Sequence, residues 1–516
     1  MTGSSPTACN YLLFSDVHLG ADLVQHARPW TAERLHEVHR IDLELGAMLD
    51  HYRERSDPER PWCMVIAGDF IDLIGMSISG AEDPARPLTP DEREHGLGSS
   101  QEHVVAKLNA VVARHDLLFR KIARFVDAGH SLVLIRGNHD VELYWEAAQR
   151  TFTESLLERS ELPLSDLAGR QAFGLRVEFR HWFYYERGLL YVEHGHQYDA
   201  SCAYQNFLAP LSPSDPDRIS YSFADILLRY VVQPTRELSP EGHDANSLGV
   251  YLRLAVSLGV RGCMRLIYRF LRAVVRMVRS SREHLSEAAA AVRAEHERKL
   301  QQISTMLGLE SNALSELSQL WATPVTARLR TIFRTVFLDG LALGGSAALV
   351  LVLLGVSGVV SWTWLSVLFA LVSCVMYIYV RSAKVLGPHA ALHNRARKLV
   401  DLMPARYVVM GHTHKPFLDT LTPKATYVNL GYWTIDLLDH HAPKSPCSHL
   451  VIRHDASGQP EATLFSWDSA RGATVLFRDP LSARPDVENA PVPDAAELAT
   501  EGAELHIQAA SPPNLS

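Results

Sequence analysis

Five short apolar runs in this chain end in Asp, Asn or His, most of them beside glycine. They are Tyr11-Leu12-Leu13-Phe14-Ser15-Asp16-Val17-His18; Met64-Val65-Ile66-Ala67-Gly68-Asp69, followed by Asp72; Ser131-Leu132-Val133-Leu134-Ile135, leading to Gly137-Asn138-His139-Asp140; Leu189-Leu190-Tyr191-Val192-Glu193-His194-Gly195-His196; and Tyr407-Val408-Val409-Met410-Gly411-His412-Thr413-His414. Each run reads as a buried strand, and the carboxyl end of such a strand is where α/β proteins place their chemistry. A single strand-end acid is ordinarily a turn or a cap, and a single strand histidine a core or surface residue. The repetition of one pattern at several strand ends points instead to a common site. Its donors are carboxylate, amide and imidazole without thiolate, a set suited to Mn, Fe or Zn. They outnumber what one tetrahedral ion needs, and two ions sharing a bridging carboxylate would use them all. Such a pair clamps the attacking and leaving oxygens of an in-line displacement and lowers the pKa of a bound water. The chain has no Gly-x-Ser-x-Gly elbow and no Gly-rich Walker loop to suggest a rival chemistry.

In chain order, Asp-x-His, Gly-Asp-x-x-Asp, Gly-Asn-His-Asp, His-Gly and Gly-His-x-His resemble the calcineurin-like metallophosphoesterase family, over roughly residues 10–200 and 388–435. The resemblance implies that Asp16, His18 and His414 hold one divalent ion and that Asn138, His194 and His412 hold a second. Asp69 would bridge the two. His139 would be the catalytic group beside the ions, stabilising phosphate charge or protonating the leaving oxygen. Asp140 would orient His139 or serve as a turn acid, and His196 would contact substrate or support the ligands. The implied fold is a four-layer α-β-β-α sandwich. The implied activity is hydrolysis of a phosphate ester or diphosphate by metal-activated water, with two divalent metal ions, manganese foremost and iron or zinc as alternatives.

The chain must supply elements that bring these turns together. Its 516 residues, 47% apolar, allow two or three domains with a large core, and a formal charge of −8 gives no reason to expect a nucleic-acid partner. Six scattered cysteines without a Cys-x-x-Cys pair argue against a zinc ribbon or a disulfide framework. Residues 1–10 show no cleavable signal peptide. Apolar positions at helical spacing over 31–55 and 101–128 predict crossover helices between the first three strands. Residues 77–100 read as a rim loop. His389 and His393 share a helix face, as a surface pair or a metal pair.

About 210 residues separate the His194 block from the Gly411 block, far more than the family core uses. We therefore expect a first core part at 8–200, a mainly helical insertion at 201–337, a transmembrane helical hairpin at 338–381, a second core part at 388–478 and a disordered tail at 480–516. Within the insertion, Asn206 and Tyr221 are candidates for a substrate path. Residues 251–282 carry eight Arg and no acid among apolar residues, which reads as a helix lying on an anionic membrane face. Residues 283–320 read as a solvated helical arm or part of a hairpin. Leu341–Val360 and Trp362–Val380 are uncharged runs of 20 and 19 residues, each long enough to cross a bilayer core. Basic residues flank the pair on both outer sides, which predicts two spans in the cell membrane with the catalytic core on the cytoplasmic side. That placement makes the membrane an integral partner and suggests a lipid-linked substrate, of which UDP-diacylglucosamine is the family's example. The alternatives are a tethered phosphatase of soluble or protein substrates and a non-catalytic scaffold.

Overall fold

A computed structural model describes residues 9–24, 32–80, 87–235, 248–309, 311–335, 350–357, 361–382, 388–433, 446–455 and 457–478. Its strands are β1 (Asn10–Phe14), β2 (Trp62–Ala67), β3 (Ser131–Ile135), β4 (Val177–Arg180), β5 (Phe183–Glu186), β6 (Leu190–Glu193), β7 (Leu211–Ser212), β8 (Asp215–Ile219), β9 (Tyr407–Met410), β10 (Phe417–Thr422), β11 (Ala425–Asn429), β12 (Ser448–His454), β13 (Pro460–Asp468) and β14 (Gly472–Arg478). Two mixed sheets form, in the orders β14-β13-β12-β1-β2-β3-β4 and β10-β11-β9-β6-β5, and β7 pairs with β8 separately.

The near-continuous apolar runs are explained by burial on both faces. Along β1, Tyr11 and Leu13 join Val65, Val133, Val192, Val409 and Val428 in a layer between the sheets. Leu12 and Phe14 point the other way, into a cluster with Leu45, Met48 and Leu49 of the helix Ala32–Glu54 and with residues of Gln101–Arg114 and Asp116–Asp127. The second sheet is covered likewise. Tyr191, Val408, Met410 and Tyr427 pack with Leu392, Ala396 and Leu399 of the helix Pro388–Leu402. Leu300, Leu314 and Leu317 belong to the same cluster, so the helices Ala289–Leu307 and Ser311–Ser318 lie on the body and are not a solvated arm.

The predicted rim loop contains a capped helix, Pro90–His95, with a reciprocal capping box between Thr89 and Glu92. The arginine-rich stretch is a helix, Leu248–His284, broken at Gly259 (φ 60°). Its inner face places Ala273, Val274 and Met277 against Phe223, Ile226 and Tyr230, and Arg272 pairs with Glu94 at 2.6 Å. His393 bonds Asp419 at 2.8 Å and packs on Phe417 and Tyr427, so it is engaged within the second sheet and its covering helix.

The transmembrane hairpin is not supported. Among the described residues no helix is long and apolar enough to cross a membrane. Of the run Leu341–Val360, residues 350–357 are described, as helix. The remainder of that run lies outside the described residues. The second helix, Trp362–Ser382, opens on Trp362-Thr363-Trp364, and its side chains beyond Cys374 also lie outside them. The transmembrane part of the expected fold, the integral membrane partner and the two-span placement in the cell membrane all depended on this hairpin and are corrected with it. The expected tail at 480–516 lies outside the described residues.

Candidate metal centre

Strand direction brings the turns together. The pairs β1–β2 and β2–β3 are parallel and in step, with Phe14 opposite Ile66 and Ala67 opposite Ile135. In the facing sheet β6, β9 and β11 are also parallel, with Val192 opposite Val409 and Asn429 opposite Met410. The turns bearing Asp16, Asp69, Asn138, His194 and His412 therefore leave one end of the sandwich.

These turns are conformationally costly. Asp16, His18, Asp69, His412 and His414 have φ of 54°, 53°, 52°, 68° and 54°, and among the described residues the only other non-glycine with positive φ is Cys447. The left-handed region costs an ordinary L-residue about 1–2 kcal/mol. Such backbone persists where the surroundings over-determine it, as at functional sites. Glycine is required at two approaches. A Cβ on Gly137 would lie 2.1 Å from Asp69 Oδ1, and one on Gly68 would lie 2.6 Å from the His194 ring at a φ of 89°.

The resulting cluster is rich in electron-pair donors. His194 Nδ1 donates to the Ala67 carbonyl at 2.9 Å, which leaves Nε2 with its lone pair in the neutral ring. That Nε2 faces Asp69 Oδ2 at 3.2 Å and Asn138 Oδ1 at 3.2 Å. His414 Nε2 lies 3.2 Å from Asp16 Oδ1, and His18 Nε2 lies 3.9 Å from Asp69 Oδ2. Ligands at 2.0–2.2 Å from one tetrahedral ion sit about 3.3 Å apart, so these separations suit coordination. Asp16 Oδ1 and His18 Nε2 are also buried without a hydrogen-bond partner. His18 with Asp16 and His414, and His194 with Asp16 and Asp69, form groups whose donor atoms lie within 4.8 Å of one another. These His/Asp clusters could hold a metal ion. All seven sequence-predicted ligands, Asp16, His18, Asp69, Asn138, His194, His412 and His414, lie at this end of the sheets.

The buried carboxylates and rings shift one another in both directions. Burial opposes ionisation of Asp69, but the His194 and His139 rings outweigh it and hold the carboxyl well below its usual range. Burial also works against His194⁺, yet Asp69 and Asp16 raise that ring to about 9. His18 is lowered to about 4 by burial and by neighbouring His139.

His139 is oriented by Asp72, not by Asp140. Its Nδ1 lies 2.6 Å from Asp72 Oδ1, and its backbone N–H donates to Asp69 Oδ1 at 2.8 Å. Burial would depress the His139 ring, but the Asp72 and Asp69 carboxylates raise it to about 10. Asp140 instead accepts the Gly137 and Phe70 N–H groups at 2.6 and 2.9 Å and builds the turn. Burial, then the Asp69 charge, pushes its carboxyl up to about 7. His196 is buried, with both ring nitrogens lacking a hydrogen-bond partner, and lies among His194, His412, Tyr204 and Phe207.

The chain after the His194 block contributes groups that the motifs do not announce. Asp199 Oδ2 accepts from His412 Nε2 at 3.2 Å, so in the neutral ring Nδ1 is the nitrogen left to ligate beside His194. The Tyr204 hydroxyl stands 3.2 Å from the Asn138 carbonyl and 2.6 Å from Asp225 Oδ2. Gln233 Nε2 donates to the Ile74 and Gly75 carbonyls at 3.1 and 2.6 Å, next to Asp72. Of the two substrate-path candidates, Asn206 is buried and Tyr221 packs beneath Arg229. No protein-family model matches the chain, and no curated protein matches it.

Proposed function

We propose that the chain is a dinuclear-metal phosphoester hydrolase acting on a phosphate ester or diphosphate. The observation that carries this reading is the convergence of carboxylate, amide and imidazole groups from five strand-end turns, three of which hold non-glycine residues on left-handed backbone, with a histidine–carboxylate pair beside them. Asp16, His18 and His414 would hold one divalent ion, Asn138, His194 and His412 the other, with Asp69 between them. Manganese is the first choice for this all-oxygen-and-imidazole set. When bound, the ions would supply a water activated near neutral pH and offset charge on the phosphoryl oxygens.

The protein's own groups account for the rest. Asp72 holds His139 protonated through Nδ1, which leaves Nε2–H to donate to a phosphoryl or leaving-group oxygen. The buried carboxylates fix the reacting group by fixing the ligands, and phosphoryl transfer asks mainly for such positioning and charge stabilisation. The lipid-linked substrate had the membrane hairpin as its premise and is not carried forward.

The test is hydrolysis by the full chain with added Mn²⁺, using a phosphomonoester, a phosphodiester and a nucleoside diphosphate ester, beside an Asp69→Ala control. Turnover should fall on the order of 10²–10³-fold or more in the control, with bound metal falling in parallel. Wild-type protein that retains two equivalents of metal and turns over none of the panel would contradict the reading, and a metal-free wild type would favour a scaffold.

A further inference from the structure

Just outside the centre, the structure brings together a donor set of different character. After the left-handed Gly195 and the short helix His196–Tyr198, the chain turns so that Asp199, Cys202 and the His412 ring meet. Their donor atoms lie within 4.8 Å of one another, and this is the one such group among the described residues that includes a thiol. Asp199 is held in place because its Oδ1 accepts the Ser201 N–H at 2.9 Å, while its Oδ2 faces His412 Nε2 at 3.2 Å. The Cys202 thiol lies beside the same carboxylate. Cys202 forms no disulfide and is of intermediate exposure; burial and the Asp199 and Asp225 charges push its thiol up, so a cation, not the protein, would have to draw off its proton.

We propose that Asp199, Cys202 and His412 form a second, thiolate-containing metal site that takes zinc and competes with the neighbouring centre for His412. The chemistry follows from the ligands. One sulfur, one imidazole and one carboxylate with an open fourth position is a zinc set, whereas the neighbouring cluster offers only oxygen and nitrogen. The 3.2 Å between Asp199 Oδ2 and His412 Nε2 matches the roughly 3.3 Å expected of two ligands on one tetrahedral zinc.

Competition follows from the ring itself. A neutral imidazole has one lone-pair nitrogen. With Nε2–H directed at Asp199, Nδ1 serves the main centre. With zinc on Nε2, the proton moves to Nδ1 and the main centre loses a ligand. Zinc at this site is therefore inhibitory. That consequence rests on the phosphoesterase reading, but the existence of the site does not.

Cobalt(II) titration of the full-length metal-free protein tests the site without substrate. We expect a near-ultraviolet thiolate-to-cobalt charge-transfer absorption that is lost in Cys202→Ser and retained in Cys263→Ser. Absence of the band in wild type, or its persistence in Cys202→Ser, overturns the site. Should Cys202→Ser not fold, Asp199→Asn gives the second measurement, with zinc affinity at the thiolate site expected to fall on the order of 10–100-fold. In the manganese-loaded enzyme, the zinc concentration for half-inhibition should rise by about tenfold or more in Cys202→Ser. Equal inhibition of both proteins would mean that zinc acts by replacing the ions of the main centre, and would overturn the competition.

Discussion

At the residue scale the pair His139–Asp72 makes the sharpest statement. On the phosphoesterase reading His139 is the acid, and the 2.6 Å contact with Asp72 and that carboxylate's charge favour its protonated form. His139→Ala should lower kcat by about 10²–10⁴-fold, the usual range for a lost general acid, while both ions stay bound. Asp72→Asn removes the charge and keeps the shape, so its loss should be smaller. Because Asp72 acts through His139, the two losses should not add. The double variant should then be no slower than His139→Ala alone, and a double-mutant cycle on kcat checks this; strictly additive losses would show that Asp72 acts independently. The choice of Asp72 over Asp140 was not legible in the motif. Adjacency in sequence favours Asp140, but its carboxylate is turned back onto the Gly137 and Phe70 amides.

At the scale of elements, what could be read from the chain was whatever lies next to a strand. Each predicted ligand follows an apolar run, so finding the run finds the ligand. Asp199 and Tyr204 directly end no such run, and their contacts with His412 and Asn138 depend on how the chain folds back after the short helix His196–Tyr198. Hydropathy misled for a related reason. It counts apolar residues along the chain, whereas crossing a bilayer needs them on one continuous helix, and among the described residues no helix is long and apolar enough.

The same packing logic gives a pH prediction at β12. His449 is fully buried among Tyr52, Phe465 and Trp467, and Tyr52 Oη lies 2.8 Å from its Nε2. Burial, more than the opposing Cys447 carbonyl, depresses the ring to about 3. An unfolded histidine titrates near about 6.5. Below that pH the unfolded chain takes up a proton that the native ring refuses. The contribution of His449 is thus complete above about 6.5 and declines toward about 3, by up to about 1.4 kcal/mol per pH unit. His449→Gln should flatten the pH dependence of stability by that amount in denaturant titrations of metal-free protein. An unchanged slope would show that the native ring accepts a proton after all.

At the scale of the whole molecule, the candidate ligands run from Asp16 to His414 in sequence and from one sheet to the other in space. Ions held between them would join β1, β2 and β3 to β6 and β9 across the sandwich. Bound ions would also separate the closely spaced, fully buried Asp16 and Asp69 carboxylates, whose mutual repulsion opposes the charged form of Asp16. A ligand that binds only the native state adds about 2.7 kcal/mol at a hundredfold excess over its Kd. Mn²⁺ should therefore raise the melting temperature of metal-free protein, and a chelator should reverse the rise. Asp69→Ala removes the shared carboxylate and should abolish most of this response. If the sheets were joined by side-chain packing alone and the cluster were a surface of incidental acids and histidines, wild type and variant would melt alike with or without Mn²⁺. Calorimetry of the two proteins, with and without the ion, separates these cases before any substrate is known.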